Sequence, residues 1–396
     1  MDALLSIIGS ISGFVWGPYM LMLLVGTGIY LTIGMRLETV RKLGYGFKLL
    51  MQGRKKAEQK GEGEITPFQA LMTALSATIG TGNIAGVATA IYLGGPGAVF
   101  WMWVTAVFGM ATKYGEAVLA VRYRETMPDG SFVGGPMYYI KNGMGKNWKW
   151  LGFCFAVFAA IAAFGIGNMV QSNSVARAVE RAFNIPYWTT GLVLAGLTFA
   201  VVIGGIRRIA EVTEKLVPFM AIVYVIGSLV IIGFNIEQLG SAFGMIFTDA
   251  FSGTAAAGRF TGAALAQALR FGVARGVFSN EAGLGSAPIA HAAARTQDPV
   301  RQGIVAMLSP FIDTICVCTL TALLIIMTGA WTSGETGAEL SQMAFNIGVP
   351  GLGDFVVGFG LMIFAFSTML AWCYYGQVCC EYIFGLKGVT PYRLLY

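Results

Sequence analysis

The chain has 396 residues, of which 56% are hydrophobic and 12% charged, and it carries a formal net charge of +6. The charged share is about half that of soluble domains, and a mean hydropathy of +0.68 leaves too little polar surface to cover a soluble core. The sequence therefore reads as a membrane protein embedded in the lipid bilayer. Its basic residues are spread over loops between apolar runs and call for no nucleic-acid partner.

Runs of about 18 or more apolar residues predict about nine spans, near 15–35, 66–92, 97–121, 151–173, 187–205, 216–234, 262–292, 303–329 and 354–378. Residues 1–12 carry an acid and no base, so they lack the basic start of a cleavable signal peptide. The first span leads into a basic loop, whose run at 53–60 is expected to be a solvated linker near anionic headgroups.

The second run is interrupted by Ser76-Ala77-Thr78-Ile79-Gly80-Thr81-Gly82-Asn83-Ile84-Ala85-Gly86. Unsatisfied backbone groups at that depth cost several kcal/mol each. A break persists there only where the freed groups face protein, an ion or a solute. The amides of Thr81, Gly82 and Asn83 would open an outer half-helix, whose positive dipole end suits a carboxylate. Glycine at 80 and 82 permits a close approach to the backbone. The carbonyls of Ser76, Ala77, Thr78 and Ile79 would end the inner half and offer hard oxygens to sodium or to an ammonium group.

Gly94-Gly95-Pro96-Gly97 predicts a sharp outer turn, and 130–148 a short interfacial helix. Asn168 and Gln171, one turn apart, share a face of the fourth span. A second break, Phe278-Ser279-Asn280-Glu281-Ala282-Gly283, falls within the seventh run. The carbonyls of Phe278, Ser279 and Glu281 would face an ammonium group there, with a new half-helix starting at Asn280 or Glu281. Glu281 reads as a structural partner rather than a ligand, close enough in sequence to pair with Arg270 or Arg275. Residues 337–347 suggest an outer helix.

In the ninth span Ser367 and Thr368 are adjacent hydroxyls, which often do no more than bond the preceding turn. Trp372, one turn further, would fill the room that large side chains need and leave space for a hydrogen or a methyl group. Lys113, Glu116 and Asp313 read equally as gating or as structural ion partners.

The charges orient the spans. With the N-terminus outside, inner loops hold 20 of the 26 Lys and Arg, while outer loops hold only Arg177, Arg181 and Arg259. The two broken spans then cross in opposite directions with four unbroken ones between them, the pattern of a five-helix unit repeated with inverted topology. The expected parts are an N-terminal helix and basic loop over 1–60, a first repeat over 61–235 and a second over 258–396. Only two spans follow the second break where a full repeat needs two more, so either the chain is a fragment or the inverted-repeat reading is wrong.

Three motifs carry a family resemblance: Gly80-Thr81-Gly82-Asn83-Ile84-Ala85-Gly86-Val87, Gly134-Gly135-Pro136-Met137-Tyr138-Tyr139, and Arg275-Gly276-Val277-Phe278-Ser279-Asn280-Glu281-Ala282-Gly283. The chain resembles the alanine or glycine:cation symporters over nearly its whole length. The resemblance implies an all-α LeuT-type fold of inverted five-helix repeats behind one extra N-terminal helix, with the last two of eleven spans absent here. It implies sodium-coupled import of alanine or glycine at a cell membrane, with no other cofactor. For the substrate it points to Thr78, Gly80, Thr81, Gly82, Asn83, Gln171, Phe278, Ser279 and Trp372. For sodium it points to Ser76, Ile79, Phe364, Ser367 and Thr368.

Other chemistry finds little footing. Gly80-x-Gly82-x-x-Ala85 fits a dinucleotide fingerprint but lacks the strand this requires. The single histidine, His291, and the six cysteines form no metal or disulfide framework, and no nucleophile–base pair predicts an enzyme. Two alternatives stay open: a proton-coupled carrier using Glu281 or Asp313, and an ion channel.

Overall fold

A computed structural model of the protein describes residues 2–54, 61–252 and 261–396. Most of the expected linker at 53–60, and Arg259 of the outer loops, lie outside the described residues. The described chain is almost wholly helical, as a bilayer demands of any segment that must satisfy its own backbone.

Helices α1 (Asp2–Val15) and α2 (Pro18–Gly34) form the first apolar stretch. The first broken span is α3 (Pro67–Thr78), a π-helical turn at Gly82–Gly86, and α4 (Val87–Gly94). Its halves are bent by 50°. Thr66 and Gln69 close a capping box that fixes where α3 starts. Then come α5 (Ala98–Arg122) and α6 (Lys149–Ala162), which continues through a π-helical stretch, Ala163–Met169, into α7 (Val170–Phe183). They are followed by α8 (Tyr187–Val202), α9 (Gly205–Phe234) and α10 (Leu239–Ser252).

The second broken span is α11 (Thr261–Asn280) and α12 (Ala287–Ala292). Next, α13 (Pro299–Ala306) runs through a π-helical segment, Phe311–Cys318, into α14 (Thr319–Met327). The chain closes with α15 (Gly337–Gly348), α16 (Leu352–Phe384) and α17 (Val389–Leu395).

Among the described residues six helices are long and apolar enough to cross a bilayer, and the bent pair α3–α4 makes a seventh. Helix α8 and the broken α11–α12 fall on the two remaining expected runs, but α8 is a shorter apolar helix and α11–α12 does not reach the length and apolarity of the others. The spans sort by depth. In the first span 11% of the most apolar window is buried and in α6–α7 17%, against 61% in α5, 67% in α13–α14 and 72% in α16. The broken helices thus sit inside a jacket. Its outer faces, with Leu192 and Val193 on α8 and Phe219 and Ile222 on α9, expose large apolar side chains suited to lipid.

Two elements go beyond the sequence reading. Helix α10 was not anticipated, because 14 residues are too short to span; yet Ala242, Ile246 and Ala250 recur at helical spacing and are buried. It is seated by Trp101, whose indole N–H donates to Ala250 O at 3.2 Å. Strands β1 (Glu125–Thr126) and β2 (Phe132–Val133) form a small hairpin that takes up the start of the 130–148 segment, so the expected helix begins only at Pro136. There Lys141 and Asn142 each bond the Glu125 carboxylate at 2.8 Å. Against partial burial, those bonds hold it below the usual carboxylate range.

Candidate functional site

The two breaks meet. A Cβ added at Gly82 would lie 3.4 Å from the Cα of Ser279, so the first break is pressed against the end of α11. Asp313, in the π-helical segment after α13, ties them together. Its Oδ1 accepts from Asn83 Nδ2 at 2.6 Å, and its Oδ2 accepts from Ser279 at 2.9 Å and Thr314 at 2.8 Å. All of these residues are buried. An acid in mid-span was the sequence signal for Asp313; its bridging role was not readable.

Within the first break, α3 ends at Thr78 and Ile79 turns to an extended conformation. Asn83 Oδ1 accepts from Gly80 N at 2.9 Å, and Asn83 N donates to Gly80 O at 3.3 Å. Asn83 therefore staples the turn rather than offering its amide to a ligand, a correction to the expected donor set. Thr81 and Gly82 remain as first-turn donors of the outer half. The Thr78 hydroxyl turns back to Leu75 O at 3.2 Å, which leaves its backbone as the group that faces the break.

Gln171 reaches this point from α7. Its Nε2 donates to Thr81 Oγ1 at 3.3 Å and to Ile166 O at 3.1 Å, while its buried Oε1 has no hydrogen-bond partner among the described residues. A Cβ at Gly80 would come within 3.8 Å of that Oε1. Asn168 points elsewhere and donates to the Tyr396 carbonyl.

Helix α16 supplies the oxygens next to the break. Thr368 Oγ1 lies 2.9 Å from both Ser76 O and Phe364 O, and a Cβ at Gly80 would sit 2.7 Å from it. Ser76, Phe364 and Thr368 are thus brought together. Ile79 is fully buried at the adjoining bend. Ser367 shares Phe364 O at 2.9 Å but its hydroxyl leans toward Met220 Sδ at 3.7 Å, away from Ser76. These oxygens are neutral and hard, a set that suits a monovalent cation. Among the described residues, no group of three or more His, Cys, Asp or Glu stands ready for a metal ion.

The second break lies further along than expected. Helix α11 runs through Asn280, whose Oδ1 accepts from Ala282 N at 3.0 Å, and Glu281 is left-handed at φ +55°. That geometry ends a helix, so the next half begins at Ala287 and not at Asn280 or Glu281. Phe278 and Ser279 fall in the last turn of α11, where carbonyls lose their helical partners.

The expected pairing of Glu281 with Arg270 or Arg275 is also corrected. Glu281 Oε1 accepts from Trp372 Nε1 at 3.2 Å and its Oε2 from the Ser286 hydroxyl. Each arginine instead stacks over a phenylalanine, Arg270 on Phe271 and Arg275 on Phe278. Trp372 is itself buried, so it is no interfacial anchor.

Below this break sits a second polar cluster. Glu116 Oε1 accepts from Gly285 N at 3.0 Å. Lys113 is fully buried, with no hydrogen-bond partner for Nζ among the described residues, and lies within electrostatic reach of Glu116, Glu281 and His291. His291 Nδ1 pairs with Gln302 Nε2 at 2.7 Å.

Just before α3 and just after α12 the broken spans are joined again. Ile65 and Ala294 form a β-bridge, and Arg295 N donates to Ile65 O at 2.7 Å. Arg124 bonds four carbonyls across the same seam, those of Ala292 and Ala294 at 3.0 and 2.8 Å and of Glu62 and Thr296 at 2.9 and 3.0 Å.

A jacket of lipid-suited helices around two abutting helix breaks, lined by neutral oxygens, defines a multi-pass membrane transporter. The comparisons agree. The sodium:alanine symporter family profile matches residues 1–396, and the chain belongs to that family, whose members are transporters and not enzymes. It is 51% identical over 397 residues to the sodium/alanine symporter AgcS of Methanococcus maripaludis, covering 99% of this chain and 86% of that one. An uncharacterized transporter of Haemophilus influenzae is 48% identical, covering 99% and 85%. In fold the chain is similar to a crystal structure of the Eremococcus coleocola manganese transporter, with a TM-score of 0.56 at 14% identity over 83% of this chain and 68% of that one.

Proposed function

We propose that the protein imports a small neutral amino acid, alanine or glycine, together with sodium, by alternating access around the two breaks. The observation that carries this reading is the contact of Gly82 with Ser279 beside the Thr368–Ser76–Phe364 oxygens. A zwitterion held there meets helix N-terminal amides at Thr81 and Gly82 for its carboxylate. Last-turn carbonyls at Phe278 and Ser279 meet its ammonium group, and Gln171 supplies a side-chain contact. Trp372 limits the room for a side chain. Sodium takes the oxygens of Ser76, Ile79, Phe364 and Thr368, with Ser367 completing the shell by a rotamer change.

The two broken spans are taken as the first helices of inverted repeats, over 61–235 and 258–396, behind the extra N-terminal helix, with the N-terminus outside. The driving force has a sensible size: one charge moving through 100 mV gains about 2.3 kcal/mol, more than tenfold in accumulation.

A proton-coupled carrier is the second reading, favoured by the buried carboxyls of Asp313 and Glu281 at the breaks. Replacing sodium by potassium at fixed pH separates the two. Saturable alanine uptake that collapses in potassium supports sodium coupling, whereas uptake that persists and follows the pH gradient supports the proton.

A further inference from the structure

We infer that Glu281 is a positioning residue that sets the substrate size limit by holding the Trp372 indole across the second break. This rests on the site described above, in which Trp372 bounds the space for the side chain.

Trp372 is fixed at three points. Its Cβ is pressed on the backbone of Gly167, where an added Cβ would come within 2.3 Å of it. Its ring packs edge-on against Tyr375, with centroids 5.7 Å apart at 69°. Its N–H donates to Glu281 at 3.2 Å. The first two contacts are apolar and undirected. The third is the directional one, and a buried indole N–H needs such an acceptor.

Glu281 is itself immobilised. Its backbone is left-handed, at φ +55°, and its second carboxylate oxygen accepts from Ser286 within the same break. The bond therefore joins α16 to the second broken span, one helical turn beyond Thr368 and its contact with the first break. Gly167 lies in the π-helical stretch whose Ile166 carbonyl holds Gln171, so the indole also abuts the support of that side chain.

A hydrogen or methyl side chain leaves this arrangement alone. A branched side chain must displace the ring, which breaks the indole–carboxylate bond and strands a buried acceptor. That penalty falls on large substrates only, so it acts as discrimination and not as uniform binding. Leaving a buried hydrogen-bonding group of this kind without its partner is worth about 10- to 100-fold.

The test is competition by leucine against labelled alanine uptake in proteoliposomes. Glu281→Met removes the acceptor, Glu281→Gln keeps one, and a benzothienyl isostere at Trp372 keeps the ring shape but lacks the N–H. Leucine should inhibit Glu281→Met and the isostere at least tenfold more strongly than the wild type, and Glu281→Gln should stay near the wild type. Combining Glu281→Met with the isostere should add nothing further, because both act on one bond. If Glu281→Met does not fold, the isostere decides alone. Unchanged leucine exclusion in variants that still take up alanine overturns the inference, as does an additive double variant. Absence of alanine uptake by the wild type would instead refute the underlying site.

Discussion

Thr368 and Gly80 carry the proposed ion site at the scale of single atoms. Among the described residues, Thr368 Oγ1 is the one side-chain oxygen that touches carbonyls of both the first break and α16. Thr368→Val should abolish sodium-stimulated alanine uptake, since removing one polar ligand costs about 1.5–3 kcal/mol, or 10- to 100-fold in affinity. Undiminished sodium stimulation in that variant would take Thr368 out of the site. Gly80→Ala would place a methyl group 2.7 Å from the same oxygen. Uptake should fall at least tenfold while the protein still folds, as judged by size-exclusion behaviour; normal uptake would show that the contact is not needed. Residues of this kind were legible beforehand because glycine, asparagine and hydroxyls stand out in apolar runs. The partner of Glu281 was not. Sequence proximity suggested the arginines of α11, whereas the left-handed turn at 281 aims the carboxylate at Trp372, 91 residues away.

Among elements, the two broken helices are joined twice. Near mid-span, Asp313 bonds Asn83 and Ser279. Just before α3 and just after α12, the Ile65–Ala294 bridge and the four carbonyl bonds of Arg124 close the seam. Under the proposed alternating access, release on this side separates the seam, and we propose that Arg124 holds it closed. Arg124→Ala should raise the rate at which an inner-side thiol reagent reaches Ala294→Cys by about tenfold, the scale of one lost charged hydrogen bond; an unchanged rate would remove Arg124 from gating. Both breaks were visible in sequence, since only a functional interruption is tolerated at that depth. Their joining was not, because Arg124 and Ala294 are far apart along the chain and periodicity carries no long-range pairing. The second break was placed too early for a related reason. Asn280 looks like a helix start, and only its bond to Ala282 N reveals that it closes one.

For the whole molecule, burial rises from the first span to α16, and the two breaks lie buried within a jacket whose outer faces suit lipid. The orientation expected from the distribution of basic residues has the 143–150 segment inside and the 235–238 segment outside. A membrane-impermeant thiol reagent applied to intact cells should therefore label Asn235→Cys and spare Lys146→Cys; the opposite pattern would invert the molecule. Long apolar spans are readable from composition because bilayer thickness sets helix length. Helix α10 escaped that rule, as any helix that covers the bundle without crossing the bilayer will. The decisive measurement is uptake of labelled alanine into proteoliposomes with and without an inward sodium gradient. Coupled symport predicts transient accumulation above equilibrium, at least tenfold at 100 mV inside-negative, and none when the gradient is dissipated. Equal uptake under both conditions, or sodium current that needs no amino acid, would contradict it.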